Sequence, residues 1–277
     1  MVSERTSIAV VGTGWWSSMT HVPTLAENGR VEKLILVDRS REAGEAVARR
    51  YKVPLERVYT SLGEARAAHP DLTGAVVAVP HHAHVPVAKE AIELGLHLLI
   101  EKPLTIYARD ARDIVEAADQ KGLKVLMGYT FPYLDPVVAA RRRIDDGLIG
   151  EIEYINCNMT SMTVEFYRGN PGAYNDVFNY PVQGPDKNTY SDPAVSGGGQ
   201  AHLQITHLAA MMLHLAPGLR GEVVTAFMNK LDTRVDVVDA IALRLSNGAV
   251  ATMGSSGNIA PGDRGSVEVH LHGSRGR

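Results

Sequence analysis

With 277 residues, 45% of them hydrophobic, the chain is long enough to bury a sizeable core and form two domains, which excludes a disordered polypeptide. A net charge of −3 with scattered lysine and arginine excludes a nucleic-acid stripe, and Arg141-Arg142-Arg143 reads as one solvated helix face. One cysteine, Cys157, excludes an internal disulfide framework, and no run reaches membrane-spanning length.

Met1–Arg5 leads into a strand without the apolar core of a signal peptide, so a cytoplasmic protein that avoids membranes is expected. Up to residue 127, short apolar runs alternate with amphipathic stretches of helix length, the grammar of parallel βαβ units. Strands are expected near 7–11, 31–37, 74–79, 96–100 and 124–127. Helices are expected over Trp16–Glu27, Arg41–Arg50, Val85–Leu94 and Ala108–Lys121.

The first strand breaks into Gly12-Thr13-Gly14-Trp15-Trp16-Ser17. Gly12 permits a tight turn, Gly14 lets backbone approach a pyrophosphate, and free N–H groups at the next helix start meet its charge. Ser17 stands where the fingerprint has a third glycine, so an ordinary glycine-rich βα turn remains an alternative. Asp38, at the end of the second strand, suits the adenosine ribose hydroxyls and repels a 2′-phosphate, which favours NAD. Arg39 next to it keeps NADP as the alternative, and Asp38 can equally cap the helix beginning near Ser40. In a doubly wound sheet, Gly12, Asp38, Val79-Pro80-His81 and Glu101-Lys102-Pro103 gather at one crevice beyond the strand ends. Lys102 follows a buried strand, where burial lowers its pKa and equips it for proton transfer; a surface lysine at a strand end is the competing reading.

Beyond residue 128 the order becomes a helix over Pro136–Asp146, a strand over Glu151–Thr163, and further strands at 219–229, 235–245, 248–256 and 265–273. An α+β domain with one large, mostly antiparallel, open-faced sheet follows. The expected domains are thus 1–127, a doubly wound Rossmann sheet, and 128–277. Segment 164–199 is too long for a plain connector. Its Tyr167, Tyr174, Tyr180 and Tyr190, with Asn170, Asn175, Asn179 and Asn188, suit either a polyhydroxylated ligand or an arm packing on a neighbouring subunit. Three glycines, Gly197 to Gly199, lead into an apolar helix carrying His202, His207 and His214. At α-helical spacing His202 and His207 diverge by roughly 140° and His207 and His214 lie two turns apart, while His81, His82 and His84 match no zinc spacing. No metal is expected.

The glycine turn, Val79-Pro80-His81-His82-Ala83-His84, Gly95-Leu96-His97, Glu101-Lys102-Pro103 and the Gly197-Gly198-Gly199…His207 helix together resemble the Gfo/Idh/MocA oxidoreductases from Ile8 to the end of the chain. The resemblance implies tightly held NAD(H) or NADP(H) and a sugar, cyclitol or related substrate. It assigns Gly12, Thr13, Gly14, Trp15, Trp16, Asp38, Arg39, Pro80, His81, His84, Glu101 and Lys102 to the cofactor. The substrate side falls to Lys102, Tyr129, Tyr190, Gln200 and His207, with Lys102 and His207 catalytic: Lys102 holds the reacting oxygen while His207 shuttles its proton. Alternatives are glycoside cleavage through transient oxidation, or a non-catalytic NAD-binding regulator.

Three departures stand out. Leu203 replaces the aspartate that many members carry four residues before the histidine, and Tyr129-Thr130-Phe131-Pro132-Tyr133 replaces an Asn-x-Arg segment, which favours a neutral substrate. The sequence also stops at Arg277, before the closing strand and helix of that group; either the open sheet associates into a homodimer or homotetramer, or the chain is a truncated form.

Overall fold

The computed structural model describes residues 5–175 and 185–277, which fold as two compact units, one up to Gly128 and one from Tyr129. The first is built on a six-stranded parallel sheet of β1 (Thr6–Val11), β2 (Val31–Val37), β3 (Val58–Tyr59), β4 (Leu72–Val77), β5 (His97–Ile100) and β6 (Val125–Met127), in the order β3-β2-β1-β4-β5-β6. The doubly wound sheet expected from the apolar runs is therefore present. Both its faces are apolar: Ala9, Val11, Ile35, Val37, Ala75 and Val77 point to one core, and Val10, Leu34, Leu36 and Val76 to the other. A strand buried on both faces has to be a near-continuous apolar run, and these are.

Two elements escaped the sequence reading, β3 and the helix Leu62–Ala68. Both are short, but Ser61-Leu62-Gly63-Glu64 carries the signature of a helix start, and the Ser61 hydroxyl accepts the Glu64 N–H at 3.2 Å. The expected helix over Trp16–Glu27 is instead two, Trp15–Met19 and His21–Glu27, broken at Thr20. A proline ring clashes with the carbonyl four residues earlier, and Pro23 sets that clash at Met19.

The second unit holds a five-stranded sheet of β7 (Ile152–Thr160), β8 (Gly221–Asn229), β9 (Val238–Leu245), β10 (Val250–Ser256) and β11 (Ser266–Gly273), in the order β11-β7-β10-β9-β8. Only β10 and β7 run parallel; the other pairs are antiparallel. One face packs Ile155, Cys157, Ala251 and Met253 against Leu208, Met211, Met212 and Leu215 of the helix Thr206–Leu215. The other face is open. At the sheet's edge, β8 leaves Val224 at 60% and Phe227 at 78% exposure. Residues 235–237, read from the sequence as the start of β9, lie outside the strand, which begins at Val238.

The helix after the three glycines also departs from expectation, because its first turn, Ala201–Ile205, is a π-helix and only Thr206–Leu215 is α-helical. Bonding from i to i+5 brings a five-residue step close to one full turn, so the 140° divergence expected of His202 and His207 does not apply. Segment 164–199 contains short helical turns at Val164–Tyr167, Pro171–Tyr174, Asn188–Ser191 and Pro193–Ser196. Tyr167 and Tyr174 are buried, and Phe166 packs on Tyr174 and Tyr190 with ring centroids 4.9 and 5.7 Å apart. These rings are spent on a local core. Asn179 and Tyr180 lie outside the described residues. No helix among the described residues is long and apolar enough to cross a membrane.

Candidate active site

In the first unit, the loops after β1, β2, β4 and β5 all leave the same edge, since these four parallel strands are neighbours. Gly12 sits at φ +91°, and a Cβ there would lie 2.7 Å from the Ala78 carbonyl oxygen, so only glycine makes this turn. Among the described residues, nothing lies within 4 Å of the corresponding position on Gly14, which leaves open space beside its backbone. Ser17 is fully buried and donates its hydroxyl to the Gly12 carbonyl at 2.5 Å, so the residue in the third-glycine position ties the turn instead of disrupting it.

Asp38 closes the same corner. Its Oδ2 accepts the Thr13 N–H at 2.8 Å and the Thr13 hydroxyl at 2.7 Å, and its Oδ1 accepts the Ser40 N–H at 2.9 Å. Ser40, not Asp38, caps the helix Arg41–Tyr51 by accepting the Ala43 N–H. A carboxylate has about four acceptor positions, so Asp38 retains capacity for a ribose hydroxyl. Arg39 is exposed beside it. The turn, the open space at Gly14 and the remaining acceptor position on Asp38 fit a dinucleotide.

Glu101 and His84, both expected at the cofactor, pair inward with the protein's own groups. Glu101 is 9% exposed, and its Oε1 accepts the Trp16 indole N–H at 2.9 Å and pairs with His21 Nε2 at 2.8 Å. These donors hold its carboxyl below the usual range against the opposing effect of burial. The spacing of the sequence offered no signal for His21. The His84 ring is fully buried, with Nε2 3.0 Å from the Val79 carbonyl and Nδ1 2.9 Å from that of Pro103. It fastens the turn after β4 to the turn after β5, and burial lowers its pKa, so what it positions is backbone. His81 is buried beside it, with ring centroids 5.6 Å apart, while Pro80 is exposed. Trp15 meets Trp16 edge to face at 5.4 Å.

Lys102 follows Glu101 directly, and its N–H donates to the Glu101 Oε2 at 3.2 Å. Packing around its amine lowers the lysine pKa, while the adjacent Glu101 charge works in the other direction. A lysine with this balance releases a proton more readily than one in water.

In the second unit, His207 is flanked by the two aromatic residues of the segment that departs from the family pattern. Tyr129 meets it edge to face with centroids 5.6 Å apart and Phe131 lies at 5.3 Å. The Tyr129 hydroxyl hydrogen-bonds the hydroxyl of Thr206, and burial raises its pKa. Leu203 is 2% exposed in an apolar cluster with Val164, Tyr167, Val235 and Val237, so its position is built as core. Tyr190 is partly buried against that cluster.

Gln200, expected on the substrate side, is likewise turned inward. It is fully buried, its Oε1 accepts from Tyr167 and Thr163 at 2.8 and 2.9 Å, and its Nε2 donates to Ser161 and Ser255 at 3.0 and 2.7 Å. Every hydrogen-bonding position of the amide is filled from within the protein, so Gln200 braces the segments around it.

Below Gln200 lies a pair of carboxyls that the sequence did not reveal. Asp239 is 3% exposed and set against Asp236, and burial together with that neighbour pushes its pKa up to about 7. Between the ordinary aspartate range and pH 7 the folded protein therefore holds a proton that the unfolded chain has released. Folding stability falls as pH rises through that window, by up to about 1.4 kcal/mol per pH unit, and levels off above it. Asp239→Asn, which keeps a donor facing Asp236, is expected to flatten this slope and raise the melting temperature at pH 8. An unchanged pH–stability curve in calorimetry would refute that assignment. Among the described residues, no group of three or more His, Cys, Asp or Glu is placed to hold a metal ion.

A family model described as oxidoreductase family, NAD-binding Rossmann fold matches residues 6–129, and one described as GFO/IDH/MocA C-terminal domain matches residues 137–277. Among curated proteins, the chain is 28% identical to dTDP-3,4-didehydro-2,6-dideoxy-alpha-D-glucose 3-reductase of Streptomyces violaceoruber, over 64% of this chain and 52% of that protein. It is 22% identical to inositol 2-dehydrogenase of Rhizobium meliloti (strain 1021), over 92% of this chain and 70% of that protein. Among solved structures, GenD2 from gentamicin A biosynthesis in complex with NAD superimposes with a TM-score of 0.81 at 25% identity, covering all of this chain and 72% of that one. The chain spans about half the length of the first curated relatives it matches.

Proposed function

The chain belongs to the Gfo/Idh/MocA oxidoreductases, and from that premise we propose that it transfers hydride between a nicotinamide cofactor and a hydroxyl or carbonyl carbon of a sugar or cyclitol. The observation that carries this reading is the corner formed by Gly12, Thr13 and Asp38 at the same end of the parallel sheet as a lysine whose pKa is lowered by burial. Gly12, Gly14 and the adjoining helix start would hold the pyrophosphate, and Asp38 the adenosine ribose, which favours NAD over NADP. When bound, the nicotinamide accepts or supplies the hydride. Lys102 donates a proton to, or takes it from, the reacting oxygen, and His207 is the second group assigned to proton transfer. Tyr129 and Phe131 fix the plane of the His207 ring.

The relatives' names support a polyhydroxylated substrate, and the aromatic residues at 129 and 131 support a neutral one. Association into a homo-oligomer is supported by the exposed apolar residues of β8. Incubation with NAD or NADP and a panel of sugars, cyclitols and sugar nucleotides tests the reading through absorbance of reduced nicotinamide. Silence across the panel from protein that binds NAD would overturn it. A narrower outcome concerns Gly14→Ala: the backbone angle of φ −65° and the open space accept a methyl group, so the melting temperature should hold. The methyl occupies the approach to the pyrophosphate, so NAD affinity should drop by about tenfold or more in calorimetric titration.

A further inference from the structure

The carboxylate that the His207 helix lacks at position 203 reappears at its N-terminal end, contributed by the loop before β9. Asp236 Oδ1 accepts the Gly199 N–H at 2.9 Å, its Oδ2 accepts the Ala201 N–H at 2.6 Å, and its main-chain carbonyl accepts the Gln200 N–H at 2.9 Å. Three consecutive donors at the opening turn of the helix thus end on one residue, where a helix start leaves N–H groups without internal partners and favours a negative charge. The backbones meet so closely that a Cβ on Gly199 would lie 2.0 Å from the Asp236 oxygen. The turn held in this way is the one that enters the π segment, and that segment sets the rotation of everything after it, His207 included.

We propose that Asp236 is a positioning residue for His207: by gripping the three N–H groups that open the π segment, it fixes the direction in which the His207 imidazole is presented. The proposal rests on the reading of His207 as the proton-transfer group. Asp239 is the carboxyl set against Asp236, with Tyr167 and Tyr190 as the nearby titratable groups, and burial together with Asp236 raises its pKa. The loop 235–237 must leave the strand for this grip to form, which accounts for β9 beginning at Val238. Asp236 itself touches no reacting atom in this scheme, and its effect runs through backbone.

Asp236→Asn is nearly isosteric but turns one acceptor into a donor, so one of the two side-chain bonds is replaced by donor facing donor. In the full-length protein labelled at histidine carbons, the His207 ring resonances and their titration midpoint should shift, while those of His270 on β11 stay in place. Hydrogen exchange at Gly199 and Ala201 should accelerate. In turnover assays kcat should fall by about tenfold or more, with KM and NAD affinity within about twofold, as expected when a group that binds no substrate is misdirected. Asp239→Asn, which preserves the grip, should leave the His207 resonances unmoved at acidic pH.

If Asp236→Asn does not fold, Asp236→Glu is read in the same way, because its longer side chain keeps the charge but cannot reach both N–H groups in the same geometry. Folded variants whose His207 resonances and kcat match the parent protein would overturn the proposal. The resonance and exchange measurements need no substrate, so they decide the positioning role even if no oxidoreduction is found. Conversely, loss of turnover without movement of His207 would reject positioning while leaving the proposed reaction intact.

Discussion

Lys102→Met is expected to reduce turnover by about a hundred- to ten-thousandfold, the usual contribution of a positioned proton donor or acceptor, while leaving NAD affinity and fold essentially unchanged. Methionine reproduces most of the aliphatic stem and removes the amine. The surroundings tolerate the loss because the neighbouring carboxylate does not depend on that charge: Glu101 keeps the Trp16 indole and His21 as partners. The Lys102 main-chain N–H that reaches Glu101 is also retained. The proposed cofactor corner is separate, formed by Gly12, Thr13 and Asp38. Single-turnover kinetics alongside calorimetric NAD titration makes the test, and a variant that turns over at the parental rate would remove Lys102 from the chemistry. A variant that loses NAD as well would instead mark the lysine as a cofactor contact.

Gly199→Ala is expected to be the most damaging single methyl group in the second unit. A Cβ at this position would lie 2.0 Å from the Asp236 carbonyl oxygen and 2.8 Å from its nitrogen, and neither is the end of a flexible side chain that could step aside. Relief requires the turn and the loop at 235–237 to separate, which gives up the bonds from Gly199, Gln200 and Ala201 to Asp236. Overpacking against backbone costs about 3 kcal/mol or more, which lowers the melting temperature by about 10 °C for a unit of this size. Gly14→Ala is the internal comparison, since it meets nothing within 4 Å among the described residues. Equal melting temperatures for the two variants would show that the close approach at Gly199 is not a constraint.

The parallel sheet was legible because its strands are buried on both faces and must be continuous apolar runs, as in Ile8-Ala9-Val10-Val11 and Leu34-Ile35-Leu36-Val37. The turn proposed for the nucleotide was legible for a related reason: a positive φ at Gly12 and a carboxylate at the end of the adjacent strand are local requirements written in residue types. Local pattern could not settle what each polar side chain does once buried. Glu101, His84 and Gln200 carry the chemistry of ligand contacts, yet each turns inward to satisfy the protein's own donors and acceptors. A buried polar group must find partners, and partners distant in sequence leave no periodic trace. His21 and Glu101, 80 positions apart, are such a pair.

The sequence by itself therefore determined the family, the two-part organisation of strands and helices, and the glycine, aspartate and lysine positions on which the proposed chemistry depends, because these follow from backbone freedom and hydrophobic periodicity. Tertiary structure alone decided the π turn before His207, the aromatic flanks of that histidine, and the grip of Asp236 on the glycine turn. Each arises where segments far apart in the chain are pressed together. In such places desolvation favours pairing of N–H groups and carboxylates, and the pairing depends on which groups meet, not on which are neighbours in sequence.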